Sequence, residues 1–238
     1  MPDLSIVVFA YNEAENTGPV IAELRQWLLA HEPDTEIVLV DDGSSDNTRE
    51  EAARALVNFP GSVQRHANNR GIGAALKTGV RAATGTWVTF LPADGQIPPF
   101  AIGTLRERAL SDDCDLVLSV YDRRDDGWHR KVLSWGVRVL ILLLHGVRLR
   151  SEGPYLFKRA LFDADVLQSD SFFLNFEYPI QMLRQRRKVS VVTIPCRKRR
   201  AGYSKSANTR QAWHVARDLV ALRLRTLRLG RANSSSNP

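Results

Sequence analysis

The stretch from Asn69 to Gln96 constrains the fold more than any other part of the chain. It runs Asn69-Arg70-Gly71-Ile72-Gly73, continues in a helical pattern through Lys77 and Gly79, passes an apolar strand around Thr89-Phe90-Leu91, and ends in Pro92-Ala93-Asp94-Gly95-Gln96. Glycines at a helix start let another group approach the backbone, and the exposed N–H groups there attract anions such as phosphate. Tight packing of the helix explains the same glycines equally well. Gly71, Gly73 and Gly79 do not have the spacing of a dinucleotide-binding turn. A buried strand that delivers one carboxylate to its carboxyl end, directly after such a helix, is a unit of a parallel sheet.

The rest of the first half repeats that unit. Apolar, β-branched runs predict strands over residues 4–9, 36–40, 62–66, 86–91 and 115–120. Helical patterns fill the gaps: residues 14–30, a helix capped by Asp46 and Thr48 and running to Leu56, residues 71–83, and a helix opened by Pro98 and Pro99 that ends near Leu110. Strands alternating with helices imply an α/β fold with a mostly parallel central sheet and helices on both faces. Ligands of such folds bind outside the carboxyl ends of the strands. Tyr11-Asn12-Glu13, Asp41-Asp42-Gly43 and Asp94-Gly95-Gln96 all fall there. Beyond Tyr121 the order changes to a charged loop over 122–126, an apolar helix with scattered arginines, a strand over 189–194, the basic run Arg197-Lys198-Arg199-Arg200, and a basic helix over 211–229. The polar tail 232–238 reads as disordered.

Composition narrows the partners. With 238 residues, 44% of them hydrophobic, the chain can bury one full core. Its net charge of +7 favours nucleic acid, an anionic membrane face or a phosphorylated substrate. Aromatic residues are few and not interleaved with the basic runs, which argues against nucleic acid. Cys114 and Cys196 lack metal-ligand spacing and fit a reduced, cytoplasmic setting. No basic segment precedes the first apolar run, so no secretory signal is read. Arg138, His145 and Arg148 interrupt residues 132–149, whose longest uncharged core, 139–144, is far below the roughly 20 residues of a spanning helix.

Several clusters carry candidate chemistry. Asp41 and Asp42 can accept hydrogen bonds from a base N–H or ribose hydroxyls, or can form an Asx turn ahead of Asp46 as a helix cap. Asp94, helped by Gln96, can hold magnesium or manganese when a diphosphate supplies further oxygens, or can be a turn carboxylate. Arg199, Gly202, Ser204 and Lys205 can close over an anion, or lie in a solvated basic loop. Arg130 and Ser134 stand one helical turn apart and can grip one phosphate. On the last helix Trp213, Ala216, Val220, Leu224 and Leu227 lie near one face, amid Arg210, Arg217, Arg223, Arg225 and Arg228. That pattern fits a membrane-surface helix, or a core-docked helix with a solvated basic face.

Together these blocks resemble family 2 glycosyltransferases of the GT-A fold, and within them the polyprenyl-phosphate and dolichol-phosphate sugar transferases. The resemblance covers residues 4–205. Val7-Val8-Phe9-Ala10-Tyr11-Asn12-Glu13 matches the family opening, with Ala10 where proline is usual, and Val40-Asp41-Asp42-Gly43-Ser44 matches the nucleoside-binding strand end. Asn69-x-Gly71 through Gly79 is the third block. The fourth, usually Asp-Ala-Asp-x-Gln, reads Pro92-Ala93-Asp94-Gly95-Gln96, and the last, Arg-x-x-Gly-x-Ser-Lys, is complete at Arg199 to Lys205. The stretch from Ser151 to Phe157 departs from the family pattern.

The resemblance implies a single GT-A domain over 1–231, with a nucleotide-sugar donor half over 1–120 and an acceptor half over 121–231. It implies that Ala10, Tyr11, Glu13, Asp41, Asp42, Gly71, Lys77 and Asp94 line the nucleotide. Asp94 and Gln96 would hold Mg2+ or Mn2+. Arg123, Arg130, Ser134, Arg199, Ser204 and Lys205 would meet the acceptor phosphate, and Pro92 replaces the first acid of the usual pair. The implied reaction is inverting transfer from a UDP- or GDP-linked sugar to a polyprenyl phosphate, by an enzyme in peripheral contact with an anionic membrane at its cytoplasmic face. An acceptor hydroxyl would instead need a base, for which Glu177 is the candidate, and a non-catalytic nucleotide-sugar binding module is a third reading.

Overall fold

The computed structural model describes residues 2–122, 128–198 and 209–234. The chain forms β1 (Leu4–Ala10), α1 (Ala14–His31), β2 (Thr35–Asp41), α2 (Thr48–Ala55), β3 (Gly61–Arg65), α3 (Ile72–Ala82), β4 (Trp87–Pro92), α4 (Phe100–Ser111) and β5 (Leu116–Tyr121). It continues with α5 (Trp128–His145), β6 (Leu156–Lys158), α6 (Leu174–Arg184), β7 (Val189–Ile194) and α7 (Thr209–Ser234). One seven-stranded sheet results, in the order β3-β2-β1-β4-β6-β5-β7. Every pairing is parallel except those of β6, which runs antiparallel to both β4 and β5.

The alternation of side chains sets the two layers. Val7, Val38, Val40, Val88, Phe90, Leu116 and Leu118 face one side, where α3, α5, α6 and α7 pack on them. Ile6, Val8, Ile37, Leu39, Leu91 and Val117 face the other, under α1, α2 and α4. Both faces are thus buried, which is why these strands are near-continuous apolar runs. Helix α3 comes very close to β1: a Cβ at Gly79 would stand 2.2 Å from Val7 Cγ1.

Two elements depart from expectation. Strand β6 has three residues, too few to show a period, and was not foreseen. Its Leu156 and Phe157 are fully buried and join β4 to β5 through Val88↔Phe157 and Leu116↔Phe157. Helix α7 docks on the core through Val215, Leu219 and Leu222, a different row from the expected one. Trp213, Val220, Leu224 and Leu227 of the expected row are exposed, Trp213 at 71%. Helix α5 packs beside α7 and also leaves apolar side chains exposed, among them Trp135, Leu142 and Leu143. Among the described residues no helix is long and apolar enough to cross a membrane.

Candidate active site

Parallel pairing brings the carboxyl ends of β3, β2, β1 and β4 to one edge. Ala10 is level with Asp41, and Phe9 with Pro92. The chain leaves each strand while still tied to its neighbour: Asp42 N–H donates to the Ala10 carbonyl (2.9 Å), His66 N–H to that of Asp41 (2.9 Å), and Ala93 N–H to that of Phe9 (3.0 Å). Tyr11, Asp41, Asp42, His66 and Asp94 therefore share one cleft edge, as the strand-end rule predicts. Pro92 closes β4 at the register position opposite Phe9.

The β1–α1 turn is stitched to the β2–α2 turn. Asn12 takes a left-handed conformation (φ 52°), which suits asparagine. Its N–H donates to Ser44 Oγ (2.9 Å) and its Oδ1 accepts from Ser45 N–H (2.9 Å). Glu13 N–H donates to Thr48 Oγ1 (2.9 Å), and Glu13 Oε2 accepts from the Asn16 amide (2.6 Å). Asp46 accepts from Thr48 N–H (3.1 Å) and Ala14 N–H (3.2 Å), so it ties α1 to α2. Asn47, not Asp46, occupies the cap position of α2. Tyr11 lies at the rim, 37% exposed.

Asp41 and Asp42 separate in role. Asp41 Oδ1 accepts from Ser44 N–H (2.9 Å), while its buried Oδ2 has no hydrogen-bond partner among the described residues and lies 3.6 Å from Arg65 Nε. A buried carboxylate oxygen left unsatisfied is costly, and so marks a place where a ligand donor would be welcome. Asp42 is engaged by the protein. Its Oδ1 accepts from Arg70 N–H (2.9 Å) and from His66 Nδ1 (2.6 Å), and its Oδ2 accepts from Gly71 N–H (2.8 Å). His66 Nε2 in turn lies 2.9 Å from Thr78 Oγ1. Asp42 thus shapes the 70–71 loop through both of its carboxylate oxygens.

The glycine-rich start of α3 packs against the 170–171 backbone. A Cβ at Gly73 would stand 2.5 Å from the Ser171 carbonyl oxygen, and one at Gly71 2.9 Å from that of Asp170. Ala74 N–H, one of the helix-start donors, gives its hydrogen bond to the Asp170 carbonyl (3.0 Å). These glycines make room for the 170–171 backbone, as tight packing of the helix requires. Buried Lys77 pairs with Asp170 Oδ1 (2.9 Å), and Arg70 lies 3.5 Å from Oδ2. Burial alone would raise the Asp170 carboxyl, but the Lys77 hydrogen bond and charge, with Arg70, outweigh it and hold it below the usual range.

Asp94 is buried, with Oδ1 accepting from Gln96 N–H (3.1 Å). The Gln96 side-chain amide donates to the Arg197 carbonyl (3.4 Å), and Arg197 N–H donates back to the Gln96 carbonyl (2.8 Å). Asp94 and Gln96 offer the hard oxygens that magnesium or manganese prefers. Among the described residues no three His, Cys, Asp or Glu side chains cluster as a protein-only metal cage would require.

Glu177 is buried in α6. Its Oε1 accepts from Gln168 N–H (3.2 Å) and its Oε2 from Ser169 N–H (2.9 Å), which makes it a brace for that loop. Ser134 is exposed on α5, and Arg130 lies on the same helix. Arg123, Arg199, Ser204 and Lys205 lie outside the described residues. Sequence reasoning missed His66 and Asp170. His66 follows β3 directly, so the strand-end rule could have found it; Asp170 gave no local signal.

The sequence profile described as Glycosyl transferase family 2 matches residues 5–203. The chain belongs to this family. Among family 2 relatives, a dodecaprenyl-phosphate galacturonate synthase of Rhizobium johnstonii is 31% identical over 155 residues, 63% of this chain and 46% of the relative. An undecaprenyl-phosphate 4-deoxy-4-formamido-L-arabinose transferase of Sodalis glossinidius is 35% identical over 170 residues, 68% of this chain and 50% of the relative. The chain spans about half the length of the curated relatives it matches. The crystal structure of glucosyl-3-phosphoglycerate synthase from Mycobacterium tuberculosis with Mn2+, UDP-glucose and phosphoglyceric acid superposes with a TM-score of 0.70 at 21% identity, covering 93% of this chain and 78% of the other. That likeness establishes the GT-A fold.

Proposed function

We propose that this chain moves a sugar from a nucleoside-diphosphate donor to a polyprenyl phosphate, with inversion at the anomeric carbon. The observation that carries the donor side is Asp41 Oδ2, buried without a hydrogen-bond partner among the described residues at the edge where Asp94 also lies. A ring N–H beside a carbonyl, as at N3 of uracil and N1 of guanine, would satisfy that oxygen. Tyr11 would flank the nucleoside at the rim. Asp94 and Gln96 would hold Mg2+ or Mn2+; bound there, the ion would offset charge on the departing nucleoside diphosphate.

The acceptor side is supported by the names of the two relatives, both polyprenyl-phosphate enzymes. A phosphate acceptor is already an anion at neutral pH, so its oxygen attacks the anomeric carbon without a base. The new carbon–oxygen bond forms as the bond to the donor's β-phosphate oxygen breaks, and positioning supplies much of the acceleration. Arg130 and Ser134 of α5, with Arg123, Arg199, Ser204 and Lys205, would hold the acceptor phosphate. The exposed apolar side chains of α5 and α7 suit peripheral contact with a membrane that carries such a lipid. A hydroxyl acceptor would need a base, and Glu177 is occupied by two backbone N–H groups.

The test is a transfer assay with UDP- and GDP-sugars, a short polyprenyl phosphate and Mg2+ or Mn2+, with Asp94→Ala as control. Metal-dependent glycolipid, lost in the variant, is the expected result. Donor binding by the wild type without glycolipid would refute the lipid acceptor, and absence of donor binding would refute the whole reading.

A further inference from the structure

Residues 168–171 join three parts of the fold that the sequence keeps far apart. At one end, the Asp170 carbonyl takes the Ala74 N–H of α3, and its carboxylate is gripped by Lys77 and Arg70. At the other, Gln168 and Ser169 give their N–H groups to the Glu177 carboxylate. The turn between is closed by its own hydroxyls: Ser169 and Ser171 Oγ lie 3.0 Å apart, and Ser171 Oγ accepts from Phe173 N–H (3.1 Å).

The third part is α7. Arg225 donates to Gln168 Oε1, and its other terminal nitrogen lies 3.9 Å from Glu177 Oε1. The Glu177 side chain is only 1% exposed, whereas Arg225 is 32% exposed. A carboxylate buried that deeply depends on its hydrogen bonds and on nearby positive charge. Arg225 supplies the charge and also pins the side chain of the residue that starts the turn. On the far side of the turn, Arg70 and Gly71, whose N–H groups hold Asp42, border the α3 start on which Asp170 and Ser171 rest. The contacts are contiguous from α7 to the β2 strand end. Contiguity is a reason to test for coupling and not a measure of it.

We infer that Arg225 is a positioning residue that sets the 70–74 start of α3 through Gln168, Glu177 and the 169–171 turn. Its relevance to nucleotide binding rests on the donor reading above; its mechanical part does not. Without Arg225 the turn would lift from α3 more often, releasing Ala74 N–H and loosening the Asp42-bound loop.

Two readouts on the full chain decide this: amide hydrogen exchange in peptides covering residues 68–76, and calorimetric titration with UDP and with GDP in the presence of Mn2+. Arg225→Ala is expected to speed exchange of those amides about ten-fold, a loss of about 1.4 kcal/mol, and to weaken nucleotide binding several-fold. Arg225→Lys should recover part of both, because it keeps the charge near Glu177 but lacks the two-pronged guanidinium. Arg217→Ala, whose partner Asp218 is on the same helix, should leave both unchanged. Unaltered exchange over 68–76 in Arg225→Ala would overturn the proposal. So would equal acceleration in β1 peptides, which marks general loosening. If Arg225→Ala does not fold, Gln168→Ala, which removes the same hydrogen bond, must give the same local acceleration or the proposal fails. A wild-type protein that binds neither nucleotide while exchange responds locally would sink the donor reading and support the mechanical link.

Discussion

Replacing Asp41 with asparagine should leave the stability of the free protein nearly unchanged and weaken its hold on a nucleotide. In the free protein the Asp41 side chain is 1% exposed, with Oδ2 lacking a hydrogen-bond partner among the described residues and lying 3.6 Å from Nε of the half-exposed Arg65 guanidinium. A buried acceptor in that state costs about 1–3 kcal/mol, and a weak, screened ion pair returns at most about 1 kcal/mol. Asparagine keeps the acceptor for Ser44 N–H but puts an amide NH2 where Oδ2 was. It removes the buried charge, loses the Arg65 attraction and adds a buried donor. These roughly cancel, so denaturant unfolding should place Asp41→Asn within about 1 kcal/mol of wild type. Nucleotide binding should suffer far more. A hydrogen bond to a charged acceptor contributes about 1.5–3 kcal/mol, and two donors now face each other, so the UDP or GDP dissociation constant should rise about 10- to 100-fold. Calorimetric titration beside chemical denaturation reads both. Unchanged affinity together with a stability loss above about 3 kcal/mol would show that Asp41 is a structural acid and that the reasoning is wrong.

Three further substitutions probe the supporting structure. Gly73→Ala would gain about 1 kcal/mol of helix propensity, yet its methyl would stand 2.5 Å from the Ser171 oxygen, so a net loss of about 1–3 kcal/mol is expected in denaturant unfolding, and a stabilised variant would contradict the close approach. Glu177→Gln should cost about 2 kcal/mol of stability, because an amide nitrogen would face a backbone N–H, while the folded variant keeps its rate in the transfer assay; loss of transfer with donor binding spared would restore Glu177 as a base. Burial pushes the His145 imidazole below its ordinary value; the Leu219 carbonyl opposes this, and Arg184 and Arg223 add to it. The unfolded chain therefore takes up that proton first, near pH 6.5, so stability is complete above that pH and is lost as pH falls toward the lower folded value. His145→Phe should flatten that acid limb in thermal melts recorded from pH 7 to 5, and an unchanged limb would clear His145 of the effect.

Much of the donor edge was legible because strand ends obey a local rule. An apolar run followed by a polar turn places Tyr11, Asp41 and Asp94 without knowledge of the rest of the chain. What those side chains touch was not legible. The donors that occupy Asp42 come from residues 24 to 29 positions later, and the partner of Lys77 lies 93 positions away. The glycines of α3 left two explanations open, and only the 170–171 backbone decides between them. Helix α7 carries apolar residues in two rows, so its pattern could not say which row faces the core. The antiparallel β6 was hidden by its length, since three residues give no period.

That short strand also bears on how the molecule is put together in time. Residues 156–158 stand between β4 and β5, so the two wings of the sheet, β3-β2-β1-β4 on one side and β5-β7 on the other, meet only across a piece supplied from later in the chain. During synthesis β4 emerges with one edge open and waits for more than 60 residues before its neighbour exists. An open, apolar strand edge is a template for wrong pairing. A chain truncated after β5 would hold every donor-side strand, yet its sheet would end in two raw borders where the native one is continuous. The keystone of the sheet is therefore made by a half of the sequence that supplies none of the polar strand ends at Tyr11, Asp41 and Asp94.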